Sequence, residues 1–91
     1  MEVRVPHTLS SEEVARRITA AADKHDVEFT PDATGLRGTL AKDAGFLGAV
    51  RANYAIEKHA LVVVVDQRPA FLPEATLRRM LEDELNALVA S

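Results

Sequence analysis

The chain has 91 residues, with 11 Lys and Arg against 14 Asp and Glu, a net charge of −3, and no cysteine or tryptophan. That length holds one domain, residues 1–91, and no second core. The missing cysteines exclude disulfides, thiolate metal sites and thiol nucleophiles, and the acidic balance with so few aromatics speaks against a nucleic-acid surface. At 47% apolar and 27% charged residues the composition is that of a globule. Scaling of surface with mass gives about 5,200 Å² when folded, enough for one thin core that a partner would help. The longest apolar run, Ala60–Val65, is far short of a membrane span, and MEVRVPH lacks the features of a secretory leader, so a soluble, cytoplasmic protein is expected.

Met1–Pro6 alternates Val3 and Val5 with Glu2 and Arg4, the period of a short strand closed by proline. Ser10-Ser-Glu-Glu13 reads as a capping box, in which the Ser10 hydroxyl accepts from the Glu13 amide and the Glu13 carboxylate reaches back. Behind it Val14, Ile18, Ala21, Ala22 and His25 form one stripe of an amphipathic helix of about four turns. The stripe is rich in alanine, so this helix can lie close to a sheet.

Val27–Phe29 begins a second strand, broken by the turn pair Pro31-Asp32. From Thr34, Leu36, Gly38 and Leu40 alternate with Arg37 and Thr39, and Lys42–Gly45 supplies the next turn. Val50–Ile56 alternates apolar and polar residues as a half-buried strand, and Leu61–Val65 follows, β-branched on both faces. After Asp66–Pro69 the period changes: Leu77, Leu81, Leu85 and Leu88 are helical, and Pro73-Glu74 suits a first turn with proline at its first position. The order is β-α-β-β-β-β-α. Short turns predict an antiparallel meander, with the first strand beside the last and both helices on one face of an α+β sheet of about five strands.

If Leu61, Val63 and Val65 face the helices, the other face carries Val62, Val64 and Ala55 together with Asn53, Arg51 and Thr39. Asp66 would otherwise enter the core uncompensated. A wet sheet face is normally more polar than this. Val62, Val64, Ala55, Asn53 and Arg51 are therefore the candidate interface, for which a homodimer is the expected partner.

No catalytic constellation emerges. His7, His25 and His59 lack the spacing of a metal site, and His7 is expected to bond a nearby backbone group or carboxylate. Among the serines Ser10, Ser11 and Ser91, the first two are explained as capping residues, and no nucleophile elbow exists. The glycine pairs Gly35/Gly38 and Gly45/Gly48 open no helix after a strand and read as relief of crowding at strand bends or bulges. Glu82, Asp83 and Glu84 beside Arg78 and Arg79 read as surface pairs along a helix. No cofactor, no metal and no enzymatic activity are expected. Asp66 and Arg68, with His7, are the candidate polar cluster, where Arg68 would hold a carboxylate. Gly38 and Ala52 on the inner face would leave room near Tyr54, a candidate pocket for a small apolar ligand between the sheet and the last helix.

Val3-Arg-Val-Pro-His7-Thr-Leu9 followed by Ser11-Glu-Glu-Val-Ala-Arg-Arg-Ile18 resembles the opening of the small polyhydroxyalkanoic-acid-system, or granule-region, proteins. Gly35-Leu-Arg-Gly38-Thr-Leu40 is similar to a strand of that family, and Pro69-Ala-Phe-Leu72 leading into Leu77…Leu88 resembles its leucine-rich last helix. Gly45–Ile56 departs from the family as a longer hairpin. The resemblance implies an accessory role around bacterial storage-polyester granules and carries over no catalytic residue. At the level of shape, the order is similar to a helix-grip domain of about half the usual length. The expected function is that of a non-catalytic accessory or interaction protein acting as a homodimer through its sheet face, with a small apolar-ligand-binding module as the alternative.

Overall fold

A computed structural model describes residues 1–43, Gly45 and residues 48–90. Ala44, Phe46 and Leu47, on which parts of the expected turn and second glycine pair fall, and Ser91 lie outside the described residues. The elements are β1 (Glu2–Pro6), α1 (Ser11–Lys24), β2 (Glu28–Pro31), β3 (Arg37–Asp43), β4 (Ala49–Ile56), β5 (Ala60–Gln67) and α2 (Glu74–Val89). They form one antiparallel sheet in the order β1-β5-β4-β3-β2, so the first strand does lie beside the last.

Register sorts the side chains by face. Val3 and Val5 pair with Val63 and Leu61; Val63 and Val65 pair with Tyr54 and Ala52; Tyr54 and Ala52 pair with Gly38 and Leu40; and Leu40 pairs with Phe29. These residues line the inner face, on which Val14 and Ile18 of α1 and Leu77 and Val89 of α2 complete the core. The helices thus share one face. Of the leucine stripe on α2, Leu77 is buried, whereas Leu81, Leu85 and Leu88 are half-covered.

α1 begins at Ser10, whose Oγ accepts from the Glu13 amide at 3.1 Å. Only that half of the capping box forms, because the Glu13 carboxylate turns instead to Arg16 and to Arg17, whose Nε donates to it at 2.8 Å. Arg17 also donates through Nη1 to the carbonyls of Leu88 (3.0 Å) and Ala90 (2.6 Å). α2 has no basic residue in its last turn, so α1 supplies the cation and the donors that its terminal carbonyls require. At the other end Pro73 is the N-cap, one residue before the position expected of it, and Glu74 begins the helix. Arg78 donates to the Glu2 carbonyl at 2.8 Å, tying α2 to the β1 edge.

β3 starts at Arg37 rather than Thr34, because Asp32 organises the preceding residues. Its Oδ1 accepts from the Thr34 hydroxyl and from the amides of Thr34 and Gly35, an Asx turn that uses the positive φ of Gly35 (74°). The Thr34 hydroxyl, chiefly, holds the Asp32 carboxyl below its ordinary range. The strand irregularity is not at a glycine pair. Ala52 faces Val65 but Arg51 faces Gln67, which makes Asp66 the extra residue of a bulge in β5.

Candidate functional site

The outer face is a grid set by the same register. Glu2, Val64, Asn53, Thr39 and Thr30 form one row across the sheet, and Arg4, Val62, Ala55 and Arg37 form the next. The expected interface residues Val62, Val64, Ala55, Asn53 and Arg51 therefore do share one face, on which no helix packs. Their exposure differs. Val64 is 36% exposed, whereas Val62 is only 6% exposed. An ion pair between residues far apart in the chain lies beside Val62. Arg4 on β1 donates to Glu57, just beyond β4, at 2.7 Å, so the pair bridges β5 on the outer side beside Val62. Glu57 in turn raises the Arg4 guanidinium above its ordinary value, chiefly through this hydrogen bond. Arg4 was legible as an outward residue, but its partner 53 residues away followed only from the pairing of β1 with β5.

Towards the other end of this face, Glu28, Thr30, Thr39, Ala41, Arg51 and Asn53 surround an open depression of about 330 Å³ that also reaches Asp66 and Gln67. Asp66 is held by the Asn53 side-chain amide, while Arg51 has no ion-pair partner among the described residues.

The expected polar cluster does not assemble. Asp66 and Arg68 stand at the end of β5 opposite to Ala60, beside which His7 lies; the two ends are about 20 Å apart along a strand of this length. Arg68 donates to the Leu72 carbonyl rather than to a carboxylate. His7, 5% exposed, bonds through Nε2 to the Glu57 carbonyl at 2.8 Å, the backbone role expected of it, and its own amide donates to the His59 carbonyl. Because a carbonyl can only accept, Nε2 carries the proton, and Nδ1 is buried without a partner. The imidazole pins the end of β1 to the β4–β5 turn.

The expected pocket is filled. A Cβ at Gly38 would meet the Thr30 carbonyl and would lie 2.8 Å from both Pro31 Cα and Tyr54 Cε1. The room that the glycine leaves is taken by the Tyr54 ring, which also packs on Phe29 with ring centroids 5.5 Å apart. Tyr54 lies on the central strand β4 and Gly38 on β3, whereas α2 packs chiefly against β1 and α1. The Tyr54 hydroxyl is buried without a partner among the described residues, and burial raises its ionisation above the ordinary value of 10.0.

Among the described residues no group of three or more His, Cys, Asp or Glu converges to hold a metal ion, and no helix is long and apolar enough to cross a membrane. No protein-family model matches the chain, and searches of curated proteins and of solved structures find no match.

Proposed function

We propose that this chain is a non-catalytic interaction protein, cytoplasmic, that works as a homodimer through the outer face of its sheet. The observation that carries this reading is which surfaces the fold closes and which it leaves open. The inner face is filled. The β1 edge is held by α2 through Arg78, and the β2 edge is short and ends in Pro31, features that discourage strand addition. Among the described residues no helix packs on the outer face of the sheet. Val64 and the half-buried Ala55 supply its exposed apolar part, while Val62 is only 6% exposed.

Sedimentation equilibrium tests this reading. The parent should have twice the chain mass at micromolar concentration, and Val64→Lys should be monomeric with an unchanged thermal melt. A parent that stays monomeric at every concentration overturns the reading. The storage-granule setting rests on the short sequence motifs that resemble the granule-region proteins. Its test is localisation of a fluorescent fusion in a polyester-accumulating bacterium: recruitment to granules supports it, and diffuse fluorescence contradicts it.

One observation favours the ligand reading, the orphaned Tyr54 hydroxyl. Native mass spectrometry of gently purified protein should then show a bound apolar species that Tyr54→Phe loses, and its repeated absence would remove this alternative.

A further inference from the structure

We propose that the covering partner is a second copy of this chain, related by a twofold axis that crosses the strands above the line Val3–Val63–Tyr54–Gly38. This inference deepens the reading of the outer face and rests on it. Those four residues are successive partners across the sheet, and the outward residues on either side of the line are complementary to one another. Rotation about this axis lays each strand antiparallel over its own copy. A residue a given number of positions before the line then faces the residue the same number of positions after it, which is the condition for an isologous contact.

On β5, Val64 faces the partner's Val62, which is only 6% exposed and so adds little apolar area to the contact. On β4, Asn53 faces the partner's Ala55, and Arg51 faces the partner's Glu57. On β1, Glu2 faces the partner's Arg4. All four charged residues are exposed. The intrachain bond from Arg4 to Glu57 links these contacts into one chain of alternating sign: the partner's Glu2, Arg4, Glu57, then the partner's Arg51. Symmetry repeats this chain once more. Arg51 and Glu2, which have no ion pair of their own among the described residues, each gain one. The other rotation that stacks the two faces, about an axis along β4, would set Arg51 against the partner's Arg51, a repulsive contact. The charge pattern therefore selects the transverse axis.

The area is that of a weak contact. The strands are 5, 4, 7, 8 and 8 residues long, so at about 3.3 Å per residue and about 4.8 Å between strands the face is about 500 Å². Two such faces bury at most about 1,000 Å², below the about 1,200 Å² of standard specific interfaces.

The test is a charge-exchange pair. Arg51→Glu sets like charges against each other at both symmetry-related positions of its homodimer, and Glu57→Arg does the same with the opposite sign. Each variant alone should dimerise at least about 100-fold more weakly than the parent. When the two are mixed, the heterodimer has two attractive contacts, one native (Glu57 with the partner's Arg51) and one with its signs exchanged, so native mass spectrometry should show the mixed species forming within about threefold of the parent affinity. Thermal melts of both variants check that they fold, and Arg51→Glu, which breaks no ion pair within the chain, serves as the reference. If Val64→Lys dissociates the parent dimer but the mixture does not pair, the axis is wrong and the outer-face reading stands. If Val64→Lys stays dimeric, or the parent is monomeric, the outer-face reading itself fails and takes the axis with it.

Discussion

The two faces of the sheet come from the same strands, yet they obey different rules. Val63 and Val64 are chain neighbours with the same side chain; Val63 is 2% exposed and Val64 36%. Inside, the helices cover a row that runs from the fully buried Val3, Leu61 and Val63 to the half-buried Leu40 and Phe29. Outside, β-branched and alanine residues alternate with Arg, Glu, Asn and Thr, and what matters is where each charge falls on the grid. The inner face stabilises the chain, and the outer face offers it to a partner. Identical chemistry at adjacent positions thus does different work.

The comparison breaks if inner and outer substitutions have similar effects on stability. Leu61→Ala, at a fully buried position, should lower unfolding free energy by about 3 kcal/mol in urea titrations, through lost burial and a residual cavity. Gly38→Ala should cost about 2 kcal/mol by the same measurement, because two of the atoms its Cβ meets are backbone and cannot rotate away. Removing the link between the helices with Arg17→Ala should cost about 1 kcal/mol and loosen α2 first, as faster amide exchange over its last turn. Tyr54→Phe should instead stabilise by up to about 1 kcal/mol, since it deletes a buried hydroxyl that has no partner. A loss of stability would reveal an acceptor. The parent's single tyrosine should resist ionisation in absorbance titrations until the fold opens. Val64→Thr should change monomer stability by under about 0.5 kcal/mol.

The smallest effect is one of pH. Hydrogen bonds from Arg16 and then Arg17 hold the Glu13 carboxyl at about 2, below its ordinary 4.5. A carboxyl with a lowered folded value favours the fold in its ionised form. Its contribution is complete above about pH 4.5 and disappears as pH falls towards 2. Glu13→Gln should therefore flatten the acid limb of a plot of Tm against pH and leave the neutral region nearly unchanged. Because the pair is at the surface, added salt should shrink the difference.

The element order, the antiparallel meander, the place of the first strand and the membership of the outward face were all legible along the chain, because period and turn chemistry are local properties. The Ser10 cap was legible for the same reason. Its reciprocal half was not, since Glu13 chose between its own helix terminus and two arginines, and the arginines offer charge as well as donors. The supposed room beside Gly38 was misjudged because an empty side-chain position is empty only until a neighbouring strand sends an aromatic ring across it. Asp66, Arg68 and His7 were grouped as polar residues near strand ends, and only the direction of β5 showed that those ends are opposite.

The order of residues by itself determined which segments are strands and helices and which side of each strand is apolar, since alternation and helical period are written in neighbours a few positions apart. Tertiary structure alone decided that Arg4 pairs with Glu57 across β5 and that Arg17 closes a helix more than seventy residues away. Each of these depends on which strands lie side by side, and that choice is made by burial of the whole inner face at once.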